Sequence, residues 1–268
     1  MGNASAADAE HAALLKIEKS GAVLTVGLNR PAKRNALNDG IILAIGESFA
    51  KLPDDIGAVV IHGVGDHFSS GLDLSELTEH DATEGLRHSQ MWHRVFDRIQ
   101  YSRVPVIAAL KGAVIGGGLE LACAAHIRVA EPSAYFALPE GQRGIFVGGG
   151  GSVRLPRLIG VPRMMDMMLT GRVYSATEGS AYGFAQYLVE EGGALAKAME
   201  LAERIASNAP LTNFAVLQAL PMIAEANPQT GLLMESLMAT VAQSDKEAKR
   251  RIRAFLEHRT AKVKPGST

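Results

Sequence analysis

Apolar and polar positions along this chain recur with two periods, which divides it into strands and helices before any chemistry is considered. Residues 14–19 and 22–28 are partly alternating apolar stretches around Ser20-Gly21, which predicts an antiparallel hairpin. Residues 58–62, 104–110, 126–130 and 133–137 are short apolar runs of strand length. Helical spacing appears over residues 41–52, where Asn38 is a candidate N-cap, and over residues 88–100, where Trp92, Val95, Phe96 and Ile99 form a packing face. Between them, the charged residues 78–87 read as a mobile surface loop. From Pro162 onward the pattern is helical: residues 163–170, 176–182, 193–207, 211–223, 231–242 and 246–259. Strands interleaved with helices make the fold class α/β.

Residues 111–122 organise the rest. An apolar strand leads into Gly116-Gly117-Gly118, and a short buried helix over residues 119–125 follows, with Glu120 in its first turn. A helix start leaves backbone N–H groups unpaired, and glycines let a ligand oxygen approach them. That oxygen could belong to a phosphate or to a developing oxyanion. Glu120 decides the matter, because a carboxylate there repels phosphate and suits acid–base work beside a polarised carbonyl.

Other stretches fit around that centre. Residues 63–67 lack the third glycine and distant acid of a dinucleotide fingerprint. Residues 68–75 form a small, polar, glycine-bearing turn where more free amides are plausible. Glu140 lies just past the strand at 133–137, and Gly148–Gly151 open a helix without the lysine ending of a P-loop. The proline-bearing loop at 29–38 is either a solvated turn or a place where Arg30, Lys33 and Arg34 meet an anionic group. The methionines Met164, Met165, Met167 and Met168 cannot all face one interior, which predicts an adaptable contact between helices or subunits.

Composition removes whole classes of function. A formal net charge of −1 with both signs interspersed leaves no basic face for nucleic acid. No stretch approaches the roughly twenty apolar residues of a membrane span. The single cysteine, Cys123, lies in the buried helix and fits a reducing, cytoplasmic setting. No Gly-x-Ser-x-Gly elbow and no metal-ligand spacing occurs.

Four stretches together resemble the crotonase (enoyl-CoA hydratase/isomerase) superfamily: residues 28–37, 68–74, 112–122, and 136–140 with the following glycines. The resemblance runs from about residue 14 to residue 259. It implies a spiral of ββα units over residues 12–200 after a disordered tail at 1–11, and a helical trimerisation segment over 201–268, giving a homotrimer or homohexamer. It implies an acyl-CoA thioester as substrate, coenzyme A being part of the substrate and no other cofactor or metal being needed. The oxyanion-hole amides fall on Leu72 and Gly117. Coenzyme A would run along Ala32, Lys33 and Arg34 and along Ser70, Asp73, Leu74 and Ser75. The paired glutamates of hydratases align with Glu120 and Glu140, and the amide of Gly148 would help hold the water.

Three departures from the family pattern bear on the substrate. Leu72 is bulkier than the alanine common there, residues 141–146 differ from the usual hydratase pattern, and His258 stands where many hydratases have a basic residue. A short, heteroatom-bearing or cyclic acyl group would fit such changes. The expected reaction is hydration of a 2-enoyl-CoA. Thioester hydrolysis or double-bond isomerisation is the alternative within the fold, and a non-catalytic binding protein is the alternative outside it.

Overall fold

The computed structural model describes residues 14–76 and 81–257. Six strands form one sheet in the order β1-β2-β3-β4-β6-β9: Leu15–Ser20, Val23–Leu28, Ala58–Gly63, Val106–Leu110, Ile127–Ala130 and Tyr187–Leu188. The expected hairpin is present, since β1 and β2 are antiparallel, and every later pair in this sheet is parallel. Parallel strands are buried on both faces, which is why β2 and β4 carry no polar alternation and are covered along their length. The Ala194–Ala206 helix packs on β3 and β4 through Ala194, Ala198, Leu201 and Ala202.

A second, three-stranded sheet is what positions the functional residues. It joins β5 (Ala113–Ile115), β7 (Tyr135–Ala137) and β8 (Tyr174–Ser175), with β5 and β7 parallel. The run at 104–110 therefore does not lead directly into the glycine-opened helix. β5 stands between them, too short to show a period, and only then does the Gly117–Ala124 helix begin. Glu120 follows β5 and Glu140 follows β7, so the two carboxylates leave the same end of adjacent parallel strands.

Two helix expectations are corrected. The Ala82–Gln100 helix starts well inside the stretch read as a loop, because the Asp81 carboxylate accepts from Thr83 and Glu84 and the Glu84 side chain closes a capping box. The expected helix over 211–223 is present but not a regular α-helix throughout: Pro210–Phe214 runs through a widened π-turn at Ala215–Ala219 into Leu220–Glu225. Pro221 has no N–H to bond and its ring crowds the carbonyl four residues back, so a regular α-turn cannot pass through it. On the Val161–Thr170 helix, Met164 and Met167 are buried while Met165 and Leu169 are exposed.

The chain divides into two compact units after Ala206. The whole Ala194–Ala206 helix goes with the first unit because it lies on the sheet. The second unit is helical, with Pro228–Ser244 and Lys246–Leu256 as its longest members. The former leaves Leu232, Leu233 and Leu237 exposed. No helix of the described residues is long and apolar enough to cross a membrane. The tail expected at 1–11 and His258 lie outside the described residues.

Candidate active site

Two loops bring a pair of backbone amides together. Ser69 bridges Val114 of β5 and Leu72 bridges Leu37, so the 69–73 turn is held between two neighbours. The Ser69 hydroxyl donates to the Asn35 carbonyl at 2.8 Å and accepts from the Gly71 amide at 3.1 Å. Gly71 has φ +86, and a Cβ there would lie 2.7 Å from the Ile115 carbonyl oxygen, so only glycine lets the turn come this close. The approach sets the Leu72 amide beside the start of the Gly117–Ala124 helix. Neither the Leu72 nor the Gly117 amide has an acceptor among the described residues. Both line a cavity of about 420 Å³.

The two glutamates line the same cavity in unlike surroundings. Glu120 is buried, and its Oε1 accepts from the amides of Gly149 at 2.9 Å and Gly151 at 2.7 Å. Burial raises its pKa, while those amides and the charge of Arg154 oppose the rise. Glu140 is also buried, but its Oε2 has no hydrogen-bond partner among the described residues. Burial, with the nearby charge of Glu120 adding to it, pushes the Glu140 carboxyl up to about 7. One carboxylate is thus held by donors, and the other is poised to carry a proton near neutral pH.

In the Gly148–Gly151 run, the last three glycines leave no room for a side chain. A Cβ on Gly149 would meet Phe96 at 2.9 Å, one on Gly150 would meet Arg154 at 2.3 Å, and one on Gly151 would meet Glu120 at 2.8 Å. The Ala82–Gln100 helix grips this loop from outside. Its Ser89 hydroxyl donates to the Gly148 carbonyl at 2.7 Å. Its Asp97 and Gln100 hold the buried Arg154 guanidinium, both at 2.6 Å, and Arg154 donates to the Gly149 carbonyl at 2.9 Å. The peptide that Arg154 fixes is followed by the amide that feeds Glu120, which makes Arg154 a positioning residue.

Substitution of Arg154 should separate its geometry from its charge. Arg154→Lys keeps the charge without the three-way fork, and kcat should fall about ten- to a hundredfold with little change in KM. Arg154→Met also removes a charge that favours ionised Glu120. The Glu120 pKa then rises, so the acid limb of the kcat/KM profile should move to higher pH. Steady-state kinetics over pH checks both.

Of the residues singled out in the sequence, Ser70, Leu72, Leu74, Gly117, Glu120, Glu140 and Gly148 line the cavity. Ala32, Lys33, Arg34, Asp73 and Ser75 do not line it. They adjoin lining residues instead: the Ser70 amide donates to the Arg34 carbonyl at 2.9 Å, and Asp73 and Ser75 flank Leu74 in sequence. The anionic group met by Arg30 and Lys33 belongs to this chain: the Asp73 carboxylate lies 2.9 Å from Arg30 and 3.0 Å from Lys33. Arg34 turns to the Tyr135 hydroxyl.

Asp73 is buried, and its hydrogen bonds from Ser75, Lys33 and Arg30 hold its carboxyl far below the usual range. A depressed folded-state pKa gives stability that is complete above the ordinary value of about 3.9 and is lost as the pH falls toward the folded-state value. Asp73→Asn should therefore cost about 1.5–3 kcal/mol at pH 7. Thermal melts should show the gap from the parent protein closing below about pH 4.

Three further cavity residues have no signal in the motifs. Trp92 packs edge-on against Phe96, as its helical spacing suggests, yet it also lines the cavity, and its indole Nε1 has no partner among the described residues. Ser89 and Arg143 line the cavity as well. Only the departure of residues 141–146 from the usual hydratase pattern pointed toward this wall. Among the described residues, no group of three or more His, Cys, Asp or Glu is placed to hold a metal ion.

An α/β spiral carrying two buried carboxylates and a free amide pair on one cavity defines an enzyme site. The chain belongs to the enoyl-CoA hydratase/isomerase family, which it matches over residues 18–265. It is 33% identical over 246 residues to the short-chain-enoyl-CoA hydratase of Clostridium acetobutylicum, covering 91% of this chain and 94% of that protein. It is 34% identical over 254 residues to the 2,3-dehydroadipyl-CoA hydratase of Escherichia coli K12, covering 93% and 98%. A crystal structure of a candidate enoyl-CoA hydratase from Rhodopseudomonas palustris CGA009 superposes with a TM-score of 0.90 at 78% identity, covering 93% of this chain and 97% of that one.

Proposed function

We propose that this chain is an enoyl-CoA hydratase that adds water across the double bond of a 2-enoyl-CoA thioester. The observation that carries this reading is the convergence of Glu120 and Glu140 on a cavity that also holds the free Leu72 and Gly117 amides. Several relatives bear hydratase names, which agrees with it. The thioester oxygen accepts from the two amides, so negative charge that develops there is stabilised by preset donors worth about 3–4 kcal/mol each. Glu120, with the Gly148 amide, orients water and takes one of its protons while the oxygen bonds to the β-carbon. The π electrons move onto the thioester oxygen as an enolate. Glu140 then delivers its proton to the α-carbon on the same face, giving syn addition.

Coenzyme A runs along residues 32–34 and 70–75, where Lys33 is still 47% exposed beyond its bond to Asp73 and can meet a phosphate. Exposed Leu232, Leu233 and Leu237 support a trimer or a pair of trimers that covers them. The single thiol, Cys123, is buried, which suits a cytoplasmic protein. The reaction is tested with crotonyl-CoA in oxygen-18 water. The reading requires a 3-hydroxyacyl-CoA product with the heavy oxygen in its hydroxyl. Heavy oxygen found in a free carboxylic acid would mean thioester hydrolysis instead.

A further inference from the structure

We propose that the cavity contains a subsite for an anionic acyl tail, so that the preferred substrate is a 2-enoyl-CoA ending in a carboxylate received by Arg143 and Trp92. This rests on the hydratase reading and adds the substrate class to it. Arg30 and Lys33 bond to Asp73, Arg154 to Asp97 and Arg34 to Tyr135, and none of these four lines the cavity. Arg143 lines the cavity, is exposed, and its guanidinium has no hydrogen-bond or ion-pair partner among the described residues. Trp92 lines the same cavity, is 4% exposed, and presents an indole N–H without an acceptor.

Arg143 and Trp92 bring two unpartnered donors to a cavity whose carboxylate acceptors, Glu120 and Glu140, are taken up by the reaction, an odd lining for a hydrocarbon chain. A plain alkyl tail would give the buried Trp92 N–H nothing in return, which is costly, and would leave the exposed Arg143 guanidinium without a partner. A carboxylate satisfies both, and guanidinium is the side chain best suited to grip it with two parallel hydrogen bonds. Placement agrees with this assignment. Arg143 ends the single turn Gly141–Arg143 that follows Glu140, so it stands just beyond the residue that serves the α-carbon. With the thioester anchored at Leu72 and Gly117, the chain past the double bond is what remains to meet it. Charge agrees too, because Arg143 opposes protonation of Glu140, and a bound tail carboxylate would neutralise that influence.

The test compares a six-carbon 2-enoyl-CoA ending in a carboxylate with its methyl ester and with crotonyl-CoA. The parent protein should prefer the acid over the ester by about tenfold or more in kcat/KM, the scale of a charged hydrogen bond. Arg143→Met should abolish that ratio, Arg143→Lys should keep most of it, and Trp92→Phe should reduce it several-fold. Equal use of acid and ester overturns the proposal. So does an equal loss on every thioester in Arg143→Met, which would assign Arg143 to coenzyme A. Affinities for the saturated acid and saturated ester thioesters are measured alongside. A binding preference for the acid without turnover of any enoyl-CoA would uphold the subsite and reject the hydratase reading, whereas turnover of crotonyl-CoA without that preference would do the reverse.

Discussion

Glu140→Gln lowers kcat by about three orders of magnitude and leaves the melting temperature unchanged or raised, because a positioned acid contributes about 10²–10⁴-fold. Glutamine has the size of the glutamate but no proton to give at neutral pH. The fold has little to lose, since Glu140 Oε2 is buried without a partner and contributes no hydrogen bond. Glu120→Gln should cost turnover on the same scale for a different reason. Its amide oxygen can still accept from Gly149 and Gly151, so the loop stays in place, but it cannot take a proton from water. Turnover and thermal melts on the two variants separate lost chemistry from lost structure. A variant with near-normal hydration would remove that glutamate from the mechanism.

Gly116→Ala should have the next largest effect, about a hundredfold in kcat with about 1–3 kcal/mol of stability lost. Gly116 sits at φ +52 and ψ −124, a region that residues with a side chain avoid. A Cβ there would lie 2.6 Å from Glu140 Oε1. The glycine is therefore the contact that lets the two strand ends place both carboxylates on one cavity. Relief requires Glu140 to swing away or the start of the Gly117–Ala124 helix to shift, and either movement spoils the alignment with the free amides. Kinetics and a thermal melt read both effects, and an alanine variant with parental kcat would show that Glu140 has room to move.

Much of this was legible from residue pattern alone. The β1–β2 hairpin, the Asn38 cap and the Ala176–Tyr182 helix follow from local periodicity and capping chemistry. Motif order pointed to the family, and the positions of Leu72, Gly117, Glu120 and Glu140 agree with one shared cavity. What local pattern could not supply is long-range pairing. β5 has three residues, too few for a period, yet its pairing with β7 is what brings Glu120 and Glu140 together. Asp73 lies forty positions from Lys33 in sequence, so the partner of the basic loop is visible only in three dimensions. Trp92 fits a packing stripe, and nothing in that spacing reveals an indole N–H without an acceptor. Pro221 is a written helix breaker, but the apolar spacing around it reads through until the widened turn is seen.

The measurement that bears most directly on the central claim follows crotonyl-CoA from pH 5 to 9, recording loss of the conjugated thioester absorbance together with release of free thiol. Hydration with Glu140 as the proton donor predicts absorbance loss without thiol, with kcat/KM falling as the pH rises through about 7, where Glu140 gives up its proton. Thiol released in step with the absorbance change, or a kcat/KM that keeps rising well above that pH, would contradict it.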